Sequence, residues 1–536
     1  MSSLTKMLKL PKSIISAWII ASMALCINFS PLLFNFLWGN HDWTPLIANN
    51  NIKSGLIEGR FSQYIFLNLL FDGNVLPILN ISFGFIAYSL SLILLTVKIF
   101  NFSIKGLSKV IILLSVITLP YIIEILYFQF ICLTQLIWPL IITISIYYAK
   151  KATEENKIIN TLVSSALLLL ATGGYPASIN MYITISCLLF MQNKNTHFKE
   201  IKSNIIKFCP YIISAVSSLI LLKITYIYLQ NNHLMLNLYN NSTIGISDLL
   251  YKIPHTIKIG ILSLIQPQPF FSLIFKITTF TIFAIFSATY IFSQKTSKAK
   301  IIHTILILIL LLSIKLSAFL TNETADNYFA QFDPIAFMVR TDFYSIPTLV
   351  LFSAFYLNNQ KNYLYKNIIF VFSLILLWIN ILANYNFSKT FILGFKAENL
   401  LTDRVTSRIL SHPDFIHQKK YSLLQIGEFS LRHKYYIPDI LEKYGYYTLN
   451  TPFTRYWTAQ EYYNFYTPDV FVKNSNTLSI NNIDKNFEEF ISAKIKTWPN
   501  KDSIFINKSH IIVILTEEFK KTFQQQFNLL EQGSYQ

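Results

Sequence analysis

Charge is scarce in this chain. Only 13% of its 536 residues are Asp, Glu, Lys or Arg, where a soluble globular chain carries about 25%. Negative charge is scarcer still, with 27 Asp and Glu against 44 Lys and Arg. With 53% hydrophobic residues and a mean hydropathy of +0.44, this excludes a soluble enzyme and a disordered chain, leaving an integral membrane protein. Cysteine is almost absent. Cys26, Cys132, Cys187 and Cys209 lie in apolar runs, with no CxxC and no histidine at ligand spacing. No disulfide framework or metal site follows from them, and they read as small packing residues. Glycine (14) and proline (18) are too few for a low-complexity polymer.

Long apolar runs are what the chain does have. A bilayer-spanning helix needs about 20 apolar residues. Eleven segments meet or approach that length: 14–38, 75–97, 110–127, 130–149, 158–173, 177–191, 205–229, 270–293, 301–320, 344–358 and 367–385. The first follows Lys6, Lys9 and Lys12. It is too long for a signal-peptide core and has no small-x-small cleavage site, so it reads as an uncleaved first span.

Basic residues set the orientation. With the N-terminus cytoplasmic, the inner segments carry eighteen lysines: Lys6, Lys9, Lys12, Lys98, Lys105, Lys109, Lys150, Lys151, Lys157, Lys194, Lys199, Lys202, Lys207, Lys295, Lys298, Lys300, Lys361 and Lys366. The outer loops carry only Lys53, Arg60, Lys252, Lys258 and Arg340. The net charge of +17 is therefore mainly topology and leaflet contact, and nucleic acid is not a partner.

Composition shifts after Tyr385. Residues 386–536 hold 33 charged residues, against 38 in the much longer 1–385. An odd number of spans places this tail outside. Its Leu401, Val405 and Ile409, four apart, predict a helix, and Tyr421–Ile426 and Ile504–Leu515 read as strands. The expected architecture is an all-α polytopic membrane domain over 1–385, followed by a small mixed α/β domain over 386–536.

Acidic residues before 386 favour the outer side. Glu154, Glu155 and Glu200 fall in inner loops, while Asp42, Glu58, Asp72, Glu124, Asp248, Glu323, Asp326, Asp333 and Asp342 lie in or beside outer ones. The only arginines there, Arg60 and Arg340, are also outer, and Arg is the preferred planar partner of phosphate. The first outer loop is densest, with Asn40-His41-Asp42-Trp43 and Glu58-Gly59-Arg60-Phe61. Asp42 directly follows a span, where desolvation would make it a better base; the alternative is an ordinary loop with an Asp helix cap. Leu46, Ile47, Leu56, Ile57, Tyr64 and Ile65 suggest a surface-lying amphipathic helix.

Three further stretches stand out. Pro120 precedes Glu124, which is either a site residue or an interhelical hydrogen-bonding group. Gly173-Gly174-Tyr175-Pro176-Ala177-Ser178 predicts a tight outer turn with Tyr175 as a substrate contact, or a turn and nothing more. Arg340 stands before a span and before Pro347, placed to hold a phosphate or to snorkel toward Asp342. Lys223, Lys276 and Lys315 lie within apolar runs and are expected to snorkel.

Together these stretches resemble the Gtr-type, serotype-converting glucosyltransferases of bacterial inner membranes, of the GT-C class. The matching features are His41-Asp42, Gly59-Arg60, Pro120 with Glu124, Gly174-Tyr175-Pro176-Ala177, Arg340 before Pro347 and a polar outer tail. Two positions differ from that pattern: His41 stands where a second carboxylate is expected, and Phe130-Ile131-Cys132 replaces an expected aspartate. The resemblance implies transfer of a hexose, typically glucose, from a polyprenyl-phosphate sugar to a lipid-linked O-antigen or similar glycan on the periplasmic face. It implies Asp42 as base with Glu58 beside it, Arg340 and Arg60 on the donor phosphate, and His41, Glu124 and Tyr175 as substrate contacts. No metal cofactor is required, although Asp42 with Glu58 could hold a divalent ion. Implied partners are the lipid-linked donor, the glycan acceptor, membrane lipid, and a donor synthase and flippase. An O-antigen polymerase or ligase, or a lipid-linked-sugar transporter, are the alternatives. A transporter should show repeated halves and ionisable groups at mid-membrane, and the acids here cluster outside.

Overall fold

The structure, a computed structural model, describes residues 11–35, 56, 59–71, 77–126, 132–192, 198–234, 246–265, 271–294, 296–316, 334–426, 496–506 and 510–515. It is mostly helical. The chain divides into two units, one holding the helices up to Ser388 and the other containing the segment from Lys389 onward.

In the first unit the order is α1 (Lys12–Asn28), α2 (Ser30–Phe34), α3 (Phe61–Phe71), α4 (Pro77–Leu94, continued by a wide turn Leu95–Ile99) and α5 (Leu107–Ile117). A tight turn at Pro120–Ile122 leads into α6 (Ile123–Leu126). There follow α7 (Cys132–Ala152), α8 (Lys157–Gly174), α9 (Ser178–Gln192), α10 (Phe198–Asn231), α11 (Ile246–Ile265), α12 (Leu273–Phe292), α13 (Ser297–Ile314), α14 (Pro334–Asn358) and the part of α15 (Tyr363–Leu410) up to Ser388. Such apolar segments become helices because lipid offers no partner to a free backbone N–H or C=O. Helical stretches Ile78–Ile99, Cys132–Ala152, Lys157–Gly174, Lys207–Asn231, Leu273–Phe292 and Tyr363–Leu393 are long and apolar enough to cross a membrane.

Of the expected spans, 75–97, 130–149, 158–173, 205–229, 270–293 and 367–385 fall on these six stretches, while the others fall on helices outside that set, and several boundaries move. The first breaks after Asn28, with α2 starting anew just before Pro31, a residue that has no N–H to continue α1. The span expected from 344 instead starts at Pro334, because proline is favoured in a helix's first turn. That change draws Arg340 and Asp342 inside a helix.

Interhelical contacts gather at two ends of the helical unit. At one end Lys150 Nζ, near the end of α7, donates to the carbonyls of Lys98 (3.3 Å) and Ile99 (2.9 Å). Ser108 on α5 meets Asn358 of α14 at 3.1 Å. Gln192 of α9 reaches the Phe100 carbonyl at 2.6 Å, and Tyr290 of α12 bonds His303 of α13 at 2.9 Å. Lys98, Lys105, Lys109, Lys150, Lys151, Lys157, Lys300, Lys361 and Lys366 sit at or near this end, and none is buried. Between the ends, small polar groups join neighbouring helices: Ser22 with Ser89 (2.8 Å), Ser91 with Thr143 (2.9 Å) and Thr184 with Ser313 (2.9 Å). Asn380 and Asn384 of α15 donate to the carbonyls of Ser115 and Thr118 near the end of α5.

The second unit contains the last turns of α15 and a three-stranded sheet of β1 (Ser422–Ile426), β2 (Ile504–Ile506) and β3 (His510–Ile514), ordered β1-β3-β2. β1 runs parallel to β3 with Ser422 opposite His510, and β2 is antiparallel to it with Ile504 opposite Val513. The expected run Ile504–Leu515 is thus two strands rather than one. Leu401, Val405 and Ile409 form the buried helix face and share a core with Phe415, Tyr421, Ile504, Ile511 and Val513. Arg408 covers the Trp498 ring at 4.4 Å while donating to the carbonyls of Pro499 and Asn500.

Candidate functional site

The end of the bundle opposite the lysines gathers the starts of α3, α7, α9, α12 and α14 and the ends of α5, α8, α11 and α13. Two polar clusters form there, and α14 contributes to both.

The first cluster is aromatic. Gly59 adopts φ +77°, a left-handed conformation that glycine takes without strain. The chain then turns into α3, with the Arg60 carbonyl accepting from Tyr64 N at 3.1 Å. The Arg60 guanidinium lies 5.5 Å from the centroid of the Tyr175 ring, within cation–π range. Tyr175, 8% exposed, stacks on Tyr344 of α14 at 5.6 Å. The Tyr344 hydroxyl donates to Gln135 Oε1 of α7 at 2.7 Å. The glycines before Tyr175 are not turn residues, as expected from sequence, but the last residues of α8. Their role is close packing: a Cβ at Gly173 would run into the Phe61 ring, and one at Gly174 into the Trp138 indole.

The second cluster is ionic and buried. Lys315, just past the end of α13, pairs with Asp342 of α14. Lys276, one turn into α12, donates to the Ser263 carbonyl of α11 at 2.6 Å and to the Tyr121 hydroxyl at 3.2 Å. Its ammonium also lies over the rings of Phe271 (4.9 Å) and Tyr121 (5.2 Å). Lys276 and Asp342 are 0% exposed and Lys315 is 2% exposed. Charges this deep persist only when paired or hydrogen-bonded. Snorkelling, the expectation for Lys276 and Lys315, is therefore overturned, because both have polar partners inside the bundle. Lys223, by contrast, is exposed on α10. Asp342, weighed from sequence as a partner for Arg340, pairs with Lys315 among the described side chains.

Of the residues singled out from sequence, Arg60 and Tyr175 come together. Arg340 lies on α14, two residues before Asp342, and Glu124 on α6; the placement of their side chains lies outside the description. His41, Asp42 and Glu58 lie outside the described residues, as does most of the expected amphipathic helix; its Tyr64 and Ile65 belong to α3. Among the described residues no three His, Cys, Asp or Glu side chains gather as metal ligands.

Sequence reasoning missed Lys276, Lys315, Tyr121, Tyr344 and Gln135. One signal was available: Lys276, Lys315 and Asp342 all lie near span termini on the same side, where opposite charges can meet at one depth. Compared with known proteins, the chain matches no family model, no curated protein and no solved structure.

Proposed function

We propose that this chain is an inner-membrane glycosyltransferase of the Gtr type, moving a hexose from a polyprenyl-phosphate donor to a surface glycan on the periplasmic face. One observation carries the reading. Arg60 and Tyr175 meet at the bundle end opposite the lysine-rich loops, beside a buried cluster with two ammonium groups and one carboxylate. A lipid-linked donor presents its phosphate at a membrane surface, so a transferase needs cations and sugar-contacting rings at one end of its bundle. A transporter would place its charges near the midplane, whereas Lys276 and Lys315 lie within a turn of a helix end.

The eleven spans, the periplasmic second unit and the cytoplasmic N-terminus belong to this proposal. In the reaction an acceptor hydroxyl attacks the anomeric carbon, and Asp42 takes its proton. The bond from that carbon to the phosphate oxygen breaks, and polyprenyl phosphate departs with the electron pair. Arg60 and Arg340 meet its growing negative charge. Glu58, His41, Glu124 and Tyr175 place the sugars.

The test is the mass of the surface-glycan repeat in cells with the chain, without it, and with Asp42→Ala. A gain of one hexose that requires both the chain and Asp42 supports the reading. A gain that survives Asp42→Ala removes Asp42 as base. An unchanged repeat with altered glycan length or export favours a polymerase or transporter.

A further inference from the structure

The aromatic cluster holds more hydrogen-bonding groups than its described residues use. Gln135 accepts from Tyr344 through Oε1, but its Nε2 has no hydrogen-bond partner among the described residues. The same holds for Trp138 Nε1 on α7, Ser178 Oγ on α9, and Ser62 Oγ and Gln63 Oε1 on α3. All five side chains are buried. A buried polar atom left unpaired costs about 1–3 kcal/mol, and folded proteins leave few of them. These five lie on residues that touch or adjoin one stack. Gln135 bonds Tyr344, the Trp138 indole lies against Gly174, Ser178 N bonds the Tyr175 carbonyl at 2.9 Å, and Ser62 and Gln63 follow Arg60.

The chemistry of these groups is specific. An indole N–H, two hydroxyls and two amides are all neutral, and they mix donors with acceptors. They stand beside the ring faces of Tyr175, Tyr344 and Trp138. Neutral mixed donors with aromatic faces suit a polyhydroxylated ring and suit neither an anion nor a metal ion. The cation described in this cluster, Arg60, is half-buried.

We infer that Gln135, Trp138 and Ser178 form the subsite that hydrogen-bonds the hydroxyls of the donor hexose, with Arg60 directed to the phosphate on its anomeric carbon. This rests on the transferase reading and extends it to sugar selection. A hydroxyl held by one of these otherwise unpaired groups is required for binding, so a sugar lacking it is rejected.

The experiment measures kcat/KM of the full-length protein in nanodiscs. The donors are polyprenyl-phosphate glucose and its 2-, 3-, 4- and 6-deoxy analogues. The enzymes are the wild type, Trp138→Phe, Gln135→Met and Ser178→Ala, with thermal unfolding as a folding control. The wild type should disfavour at least one deoxy donor by about tenfold or more. In the variant lacking the matching group, that same analogue should be used as well as glucose, while discrimination against the others persists. Three separate variants keep the result readable if one fails to fold. Equal discrimination in the wild type and all folded variants overturns the subsite. No hexose transfer from any donor by the wild type overturns the transferase reading instead.

Discussion

The two ends of the helix bundle use lysine in opposite ways. At one end Lys105, Lys157, Lys361 and Lys366 are exposed, and Lys150 spends its donors on the carbonyls of Lys98 and Ile99. At the other end Lys276 and Lys315 are buried, one among aromatic rings and a carbonyl, the other against Asp342. The first pattern needs no special site, since an exposed lysine at a bundle end needs only water. The second is costly, because each buried charge forfeits several kcal/mol of hydration. Arg60, Tyr175 and Tyr344 stand at the same end as these buried charges, which is the end proposed above as the reactive one.

Removing one charge should show the contrast most strongly. Asp342→Ala leaves Lys315 buried without its carboxylate, and destabilisation of about 3–5 kcal/mol is expected, read as a lower unfolding temperature in detergent. Adding Lys315→Met to Asp342→Ala should restore most of that loss; no recovery would show that Asp342 matters for packing rather than pairing. Gly174→Ala is next, at about 1–3 kcal/mol, because the Trp138 indole must move to admit the methyl group. Tyr344→Phe removes one buried hydrogen bond to Gln135 and should cost about 1 kcal/mol, measured by the same unfolding assay. Lys105→Ala or Lys361→Ala at the opposite end should change stability by less than about 0.5 kcal/mol. A Lys361→Ala loss as large as that of Asp342→Ala would erase the distinction between the ends.

The sequence made some of this legible and hid the rest for identifiable reasons. Spans are readable because lipid demands long apolar runs, and the helix bearing Leu401, Val405 and Ile409 is readable because one face repeats every fourth residue. The run Ile504–Leu515 is apolar enough to read as one strand, and only the pairing of Ile504 with Val513 reveals two. The ionic cluster was hidden because its partners are distant in the chain: Lys276 and Tyr121 are 155 residues apart. Asp342 was further disguised by proximity to Arg340 and by a helix that starts earlier than hydropathy suggests. Gly173 and Gly174 looked like turn formers, because sequence cannot distinguish a glycine that bends the chain from one that makes room for an aromatic ring. Arg60 and Tyr175 were each picked out from their own short motif, yet nothing in either motif says that they touch.

The most direct measurement compares matched substitutions at the two ends, Arg60→Gln and Lys105→Gln. Each is assayed in nanodiscs for hexose transfer from polyprenyl-phosphate glucose to the glycan acceptor. Arg60→Gln should lower kcat/KM by about tenfold or more, as expected for loss of a charge on the donor phosphate, while Lys105→Gln stays within about twofold of wild type. Equal losses in both variants, or full activity in Arg60→Gln, would contradict a reactive site at the end opposite the lysine-rich loops.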